Sequence, residues 1–359
     1  MLAGDLRVVA NHPRYETAPI CTALSFVLLS LLLPQVVSAA KQNATPTEQE
    51  RRILRILVVC RDLAVTSRQW ADVFALPEPT IRTVTPDSHR GIDLTDLTFK
   101  DRFRRAILQI GDMQIEFVQP SDFSPSVSHF IKGRSAAIGG IVVGLADPAA
   151  PRRLKDLEVE HHIQHGREIF LEPATKLGIA TEWIVVNDAA GLKQLFTSTQ
   201  STPPNLPPAP DSGFRKLSQV SIATNHVPEI SQRWSQLLGI VPPKVNTGEP
   251  DPTQLFRNRR SGDRFTYSSI PFGPAAIEML YSTGSDGTLV QEFIDTYGEG
   301  PQHIALIVDS MDGAVKQFER FGFGVGMVVR SQANFKINFI EAAEKLGVDV
   351  ELIWRAPTS

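Results

Sequence analysis

Cysteine is nearly absent from this chain. Only 2 cysteines, Cys21 and Cys60, occur in 359 residues. If residues 1–40 are removed as a leader, Cys60 remains alone and no intramolecular disulfide can form. Cys60 lies in an apolar run that is predicted as a strand, so we interpret it as a buried, inert thiol.

A surplus of charge of either sign is also lacking. The net charge is −3, and no dense stripe of Lys and Arg occurs. We therefore expect no nucleic-acid partner. The hydrophobic content of 42% and charged content of 21% are typical of a soluble globular protein. The length allows two domains with sizeable cores.

Residues 20–33 (ICTALSFVLLSLLL) form an apolar run without charge. This run is shorter than the roughly 20 residues that cross a bilayer. The small residues at 37–39 fit a signal cleavage site. We therefore predict that residues 1–40 are the signal peptide of a secreted or periplasmic protein, with no stable membrane span once the leader is cleaved. A membrane anchor over 20–37 and a misassigned start are the alternatives.

Proline and serine are concentrated in residues 196–213, where large apolar residues are almost absent. This composition is typical of a semi-rigid linker. It divides the remainder into two predicted domains, residues 51–195 and residues 214–357.

The two predicted domains repeat one layout. Residues 55–75 align with residues 219–239, and Trp70 falls on Trp234. Further alignment places Arg55 on Gln219, Glu116 on Glu278, Gly140 on His303 and Glu182 on Glu351. A repeat of this length indicates duplicated domains rather than a solenoid.

Four polar side chains of the second domain lie in short apolar runs that are predicted as strands: Gln219 in LSQVSIAT, Glu278 in AAIEMLY, His303 in PQHIALIV and Glu351 in VDVELIW. A polar group inside such a run must face solvent, a partner or a metal, because burying it unpaired is costly. Two carboxylates, one imidazole and one amide suit a divalent metal ion. Taken singly, each is more often a solvated or satisfied structural residue.

The first domain departs from this set, since Arg55 and Gly140 replace two of the four residues. We expect no metal there, because a cation stands at the first position and no imidazole is present. Arg55 is expected to form an internal ion pair with Glu116 or Glu182. A variant site in which Arg55 holds an anionic ligand is the alternative.

In the second domain, the apolar spacing predicts the order β-α-β-β, a helical connector and then β-α-β-β-β. The Gly- and Pro-rich residues 243–263 are predicted as loop.

Residues 291–315 (QEFIDTYGEGPQHIALIVDSMDGAV) and 349–354 (DVELIW) resemble segments of the vicinal oxygen chelate superfamily, which includes glyoxalase I, methylmalonyl-CoA epimerase, extradiol dioxygenases and bleomycin-resistance proteins. The resemblance implies an α+β fold of tandem domains. Each domain would consist of two βαβββ modules that form a half-closed mixed sheet.

The resemblance also implies a site. The family's ligand positions fall on Gln219, Glu278, His303 and Glu351, with zinc, nickel, cobalt or manganese as the ion. Glu351 would be the catalytic base, and Glu278 a second acid/base or a permanent ligand.

The implied activity is that of an isomerase, epimerase or lyase of the glyoxalase–methylmalonyl-CoA epimerase type. It would move a proton next to a metal-chelated carbonyl of a small α-carbonyl or thioester substrate. The alternatives are a non-catalytic small-molecule binding protein and a metal-dependent dioxygenase. Gln219 counts against the dioxygenase, because it replaces one of two imidazoles. The sequence leaves open whether the protein is an oligomer.

A second histidine cluster lies in EVEHHIQHG, at His161, His162 and His165. On a helix, His161 and His165 would share a face at a metal-like spacing. The neighbouring Gly166 and charges favour an exposed, solvated segment instead.

Overall fold

The computed structural model describes residues 47, 50–84, 93–94, 97–98, 103–111, 113–120, 130–164, 167–199 and 213–357. The predicted leader, residues 200–212 of the predicted linker, and His165 lie outside them. All the described residues belong to one compact unit, residues 36–359.

The first half of the molecule, residues 51–199, contains these elements in chain order: β1 (Arg51–Cys60), α1 (Leu63–Val73), β2 (Arg82–Val84), β3 (Asp93–Leu94), β4 (Leu97–Thr98), β5 (Phe103–Ile110), β6 (Met113–Pro120), β7 (Ala136–Ala146), α2 (Ala150–Asp156), β8 (Glu160–Gln164), β9 (Arg167–Glu172), α3 (Ala174–Leu177), β10 (Ala180–Val186) and α4 (Ala189–Thr199).

The second half, residues 213–357, repeats this pattern: β11 (Phe214–Ala223), α5 (Val227–Leu238), β12 (Asn246–Gly248), β13 (Leu255–Phe256), β14 (Arg259–Arg260), β15 (Arg264–Phe272), β16 (Ala275–Thr283), α6 (Leu289–Tyr297), β17 (Gly300–Val308), α7 (Met311–Arg320), β18 (Val325–Gln332), β19 (Phe335–Ile340), α8 (Ala343–Leu346) and β20 (Asp349–Arg355).

Each half forms one curled mixed sheet. The strand order is β2-β5-β6-β1-β7-β10-β9-β8 in the first half and β12-β15-β16-β11-β17-β20-β19-β18 in the second, where β13 and β14 extend the edge. Each sheet consists of two βαβββ modules, joined by antiparallel pairing of β1 with β7 or of β11 with β17. This topology confirms the predicted fold class.

Helix α5 shows how the sequence specifies an element. Pro228 lies in the first turn, and Gly239 ends the helix in the left-handed conformation at φ +65°. Ile230, Trp234 and Leu237 are buried. Their spacing places them on one face, so the helix packs against the sheet through that stripe.

The two halves exchange equivalent contacts. The indole of Trp70 on α1 donates a hydrogen bond to the backbone oxygen of Leu346, 3.1 Å away. The indole of Trp234 on α5 donates to the backbone oxygen of Leu177, 3.2 Å away. Each tryptophan therefore caps a short helix of the opposite half, which gives the interface an approximate two-fold symmetry.

The glycines that end these two short helices are required by close packing. Gly178 and Gly347 have φ values of +73° and +83°. A Cβ on Gly178 would lie 2.5 Å from Ile222 Cγ2, and one on Gly347 would lie 2.5 Å from the carbonyl carbon of Ala136. Both neighbours come from the opposite half, so the halves approach each other closely at two symmetric points.

Several expectations need correction or a limit. Residues 243–263 were expected as loop, but β12 pairs with β15 and β13 pairs with β18.

The segment that contains His161 is the strand β8, not a helix, so helical spacing does not apply to it. The imidazole of His161 is exposed and stacks on Phe170. Helix α4 continues past residue 195, whereas the domain limits themselves stay a prediction. Among the described residues, no helix is long and apolar enough to span a membrane.

Candidate metal centre

The four candidate residues lie on four neighbouring strands at the centre of the second sheet, in the order β16-β11-β17-β20. Ser221 pairs through its Cα with both Glu278 and His303, and Ala305 pairs with Glu351. Gln219 is two residues from Ser221 and points to the same side. The candidate side chains therefore converge, and all four residues are at most 4% exposed.

Their contacts form one polar cluster. Gln219 Nε2 donates to Glu278 Oε2 at 2.9 Å and to Glu351 Oε2 at 2.8 Å. His303 Nε2 lies 3.3 Å from Glu351 Oε2 and 3.9 Å from Glu278 Oε2. Ser221, which the sequence analysis did not single out, donates from Oγ to Glu278 Oε2 at 3.0 Å.

A second set of polar residues forms a hydrogen-bond chain that begins at Nδ1, the other ring nitrogen of His303. His303 Nδ1 contacts Gln302 Oε1 at 2.5 Å. Gln302 Nε2 donates to Asp349 Oδ2 at 2.8 Å. Asp349 Oδ1 accepts from the backbone N–H groups of Ala342 and Ala343. The sequence analysis missed Gln302 and Asp349, although each lies within two residues of a candidate ligand.

Burial dominates the electrostatics of the cluster. It lowers the pKa of His303 to about 4, so the imidazole is neutral. It raises the pKa of Glu278 to about 7, with a further contribution from the Glu351 carboxylate. Burial also raises the pKa of Glu351 to about 8. Two negative charges are therefore unfavourable here unless a cation accompanies them.

The donor set suits a divalent ion. His303 Nε2 is buried and has no hydrogen-bond partner among the described residues. It faces carboxylate oxygens, and two acceptors that face each other require a proton or a cation between them. One imidazole with carboxylate and amide oxygens is a set used by zinc, manganese, iron, cobalt and nickel.

Two features limit this fit. The Gln219 amide presents its nitrogen, not its oxygen, to the carboxylates, so it must turn before it can act as a ligand. In the part of the chain that the structure describes, no three His, Cys, Asp or Glu side chains are arranged, as they stand, to hold a metal ion. The predicted metal site therefore stays a prediction, although the fold brings its four residues together.

An open cavity of about 380 Å³ lies beside α6 and α8 and reaches the polar network at Asp349. The four candidate residues do not line it. It therefore gives no direct route to the cluster.

The strand register of the first half places the predicted counterparts at equivalent positions. Leu57 pairs with both Glu116 and Gly140, as Ser221 does with Glu278 and His303. Val142 pairs with Glu182, as Ala305 pairs with Glu351 in the second sheet. The alignment made from the sequence is therefore confirmed residue by residue.

Arg55, Glu116 and Glu182 form the equivalent first-half cluster. In it, two arginines lie against Glu116. Arg55 forms an ion pair with Glu116, whose other oxygen lies 3.3 Å from Arg105. The predicted pairing of Arg55 with Glu116 is confirmed. Burial raises the pKa of Glu182 to about 8, an effect that the Arg55 charge opposes. No imidazole is present at this position, because Gly140 carries no side chain.

Helix α4 covers the adjoining face of the first sheet with apolar side chains. Leu195 belongs to a buried cluster with Leu54, Leu57 and Val142. A Cβ on Gly144 would lie 2.5 Å from Leu192 Cδ1, so the helix rests directly on the strand. Apolar residues therefore occupy space next to the first-half cluster.

Comparison with known proteins gives a fold but no close relative. No family model matches the chain, and no curated protein matches it. A triple mutant of 4-hydroxymandelate synthase from Streptomyces coelicolor matches with a TM-score of 0.54 at 13% identity, over 86% of this chain and 93% of that one. The chain has the vicinal oxygen chelate fold. Closeness to glyoxalase I is not shown.

Two further solved structures resemble the chain more weakly. A xylose isomerase-like TIM barrel/4-hydroxyphenylpyruvate dioxygenase fusion protein has a TM-score of 0.49 at 13% identity, over 89% of this chain and 51% of that one. BphC, a halotolerant catechol dioxygenase, has a TM-score of 0.45 at 14% identity, over 86% of this chain and 88% of that one.

Proposed function

We propose that the second half of the chain is a divalent-metal-dependent enzyme site that acts on a small, oxygen-chelating substrate. The observation that carries the proposal is the buried Nε2 atom of His303, which has no hydrogen-bond partner among the described residues and lies beside two buried acidic side chains. No Lys or Arg of the described residues forms an ion pair with Glu278 or Glu351. A bound divalent ion would satisfy all three groups at once.

The chain's own groups have distinct parts in this proposal. His303, Glu278 and Glu351 would hold the ion, and Gln219 would join them after its amide turns. The ion would supply Lewis-acid stabilisation of a substrate oxyanion. Glu351 is the proposed proton acceptor, because it is buried and its Oε2 lies 3.3 Å from the imidazole.

Oxygen-dependent chemistry is the first candidate, ahead of the proton transfer expected from the sequence. By its name, the enzyme that shares this fold over most of its length forms 4-hydroxymandelate, an aromatic 2-hydroxy acid. His303 and Glu351 supply one imidazole and one carboxylate of a two-His, one-carboxylate iron site. A 2-oxo or 2-hydroxy acid offers two oxygens to one ion, so the proposed substrates are small aromatic acids of this kind, with iron as the ion.

Proton transfer remains the second candidate because of two residues. Gln219 stands where an iron site of that type has its other imidazole, and Glu278 adds a second carboxylate to the cluster. An ion that does not change oxidation state, with a carboxylate base beside it, can promote proton movement next to a carbonyl.

Metal content of the full-length protein tests the proposal. The parent, His303→Ala and the control His226→Ala are incubated with each divalent ion, desalted and measured by mass spectrometry. We expect about one ion per chain in the parent and the control, and a loss of more than about tenfold in His303→Ala, because one of the few ligands is removed. His226 is an exposed residue outside the cluster.

The identity of the ion separates the two chemistries. Iron binding with oxygen uptake in the presence of aromatic 2-oxo acids supports the oxygenase. Binding of zinc, nickel, cobalt or manganese, with deuterium exchange next to a substrate carbonyl and no oxygen uptake, supports proton transfer. Absence of metal from the parent after every incubation overturns the enzyme proposal and leaves a metal-free binding protein.

A further inference from the structure

We infer that Gln302 and Asp349 are positioning residues that fix the His303 imidazole in its Nδ1–H form and so present the Nε2 lone pair to the metal. The inference rests on the proposed metal site. It concerns two residues that contact His303 or each other but do not contact the carboxylate cluster. The evidence is a chain of four hydrogen bonds, two from backbone N–H groups to Asp349, one from Gln302 to Asp349 and one between His303 and Gln302, and its direction is set at the Asp349 end.

The direction starts at Asp349, which is buried. Its Oδ1 accepts from the backbone N–H groups of Ala342, at 2.8 Å, and Ala343, at 2.9 Å. Backbone N–H groups can only donate, so this end of the chain has a fixed polarity. The carboxylate is held in place by the start of helix α8, and its Oδ2 is aimed at Gln302.

The fixed carboxylate orients the amide of Gln302. Oδ2 of Asp349 accepts from Gln302 Nε2 at 2.8 Å, which requires the NH₂ end of the amide to face Asp349. The amide oxygen therefore faces His303, 2.5 Å from Nδ1. An amide oxygen can only accept, so Nδ1 must carry the proton.

A neutral imidazole with its proton on Nδ1 has its lone pair on Nε2. That nitrogen is the buried atom without a hydrogen-bond partner, and it lies 3.3 Å from Glu351 Oε2. Without Gln302, Nδ1 loses the acceptor that fixes the proton there, so the Nε2–H form, which faces Glu351 Oε2, becomes accessible. The Nε2–H form cannot bind a metal through that nitrogen. The hydrogen-bond chain from Asp349 through Gln302 to His303, the relay, would therefore keep Nε2 available as a ligand.

The first test reads the proton position in the metal-free protein. Long-range ¹H–¹⁵N spectra of the imidazole rings distinguish the two forms, and His303→Ala assigns the signal. We expect the Nδ1–H form in the full-length parent and the Nε2–H form in Gln302→Leu. Gln254→Leu is the matched control, since Gln254 is also buried but bonds to Ser261 and the backbone of Asp263.

The second test measures zinc affinity of the same proteins. Removal of an outer partner of a ligating histidine typically weakens metal binding by about 10–100-fold, and we expect this loss in Gln302→Leu but not in Gln254→Leu. The double variant Gln302→Glu/Asp349→Asn exchanges the acceptor and donor roles while keeping an acceptor at Nδ1. We expect it to restore the Nδ1–H form and most of the affinity, whereas Gln302→Glu alone sets two carboxylates against each other.

The outcomes separate this inference from the proposed function. An Nε2–H form in the parent, or an unchanged proton position and affinity in folded Gln302→Leu, overturns the relay. If the parent binds no zinc or other divalent ion but the proton moves as expected, the metal proposal fails and the relay stands only as the group that sets the imidazole form. Thermal unfolding of each variant checks that it is folded.

Discussion

The two halves of the molecule place different chemistry on equivalent strands. In the second half, Gln219 lies between two buried carboxyl groups, and His303 Nε2 beside them has no hydrogen-bond partner among the described residues. In the first half, the equivalent residue Arg55 forms an ion pair with Glu116. The two equivalent positions thus differ in charge: Arg55 brings a cation to a buried carboxylate, and Gln219 brings a neutral amide.

The neighbouring residues follow the same division. Ser221 donates to Glu278 in the second half, whereas its counterpart Leu57 packs in the apolar cluster beneath helix α4. His303 is replaced by Gly140. At these positions the first half therefore has apolar packing and an internal ion pair where the second half has polar groups.

The largest expected effect comes from copying the first half into the second. In Gln219→Arg, a guanidinium would lie between Glu278 and Glu351 and neutralise them, as Arg55 does for Glu116. We expect divalent-metal affinity to fall by more than about 100-fold, since the ion competes with a tethered cation and loses a ligand. Isothermal titration of the metal-free protein measures this loss.

The reverse exchange sharpens the comparison. Arg55→Gln removes one of the two cations that face Glu116 but adds no imidazole at Gly140. We expect no metal binding in the first half and a loss of about 1–3 kcal/mol of stability, because a buried carboxylate loses a charged partner.

For the first exchange, metal binding by Gln219→Arg at parental affinity would show that the residue at position 219 does not control the site.

The spacing of apolar and polar residues was enough to predict much of this site. A buried strand must alternate its side chains, so a Gln, Glu or His within an apolar run has a defined direction. The internal repeat supplied the pairing of positions, from Arg55 with Gln219 to Glu182 with Glu351, and the strand register agrees with it. Periodicity likewise predicted helix α5.

Contacts between distant residues could not be predicted in the same way. The link from Asp349 to His303 passes through Gln302, which an irregularity between β11 and β17 places beside its neighbour's imidazole. The short strands β12 and β13 form only because longer strands present edges to them. Helix α4 lies partly in a segment whose composition indicated a linker, since its apolar residues find a surface on the first sheet.

An intermediate effect is expected at the interface between the halves. Trp70→Phe and Trp234→Phe each remove an indole N–H from a buried backbone oxygen of the opposite half. Each should cost about 1–3 kcal/mol, because the oxygen loses its donor and a small cavity remains. Urea denaturation measures the change in unfolding midpoint.

Because the two contacts are equivalent, both variants should lower the free energy of unfolding by similar amounts. Trp354→Phe is the control, because that indole donates to Asp309 within the second half and is less buried. If either interface variant costs no more than the control, the two halves are not stabilised by equivalent contacts. If both shift one common transition, the halves unfold together.

The last expected effect is the pH dependence of stability that Glu182 contributes in the first half. Burial raises the pKa of Glu182 from 4.5 to about 8, while Arg55 lowers it and Glu116 raises it. The folded protein thus holds the Glu182 proton more tightly than the unfolded chain does. The stability from this group is complete below pH 4.5 and is lost as the pH rises through about 8.

Glu182→Gln should abolish this contribution, because the amide does not titrate. Relative to the parent, its unfolding midpoint should rise as the pH increases from about 5 to about 8, and Glu319→Gln, on the exposed face of α7, supplies the baseline. A constant difference between Glu182→Gln and the parent would mean that Arg55 keeps Glu182 ionised throughout. The first half would then resemble the second less than its geometry indicates, because its cations would neutralise both carboxylates rather than Glu116 alone.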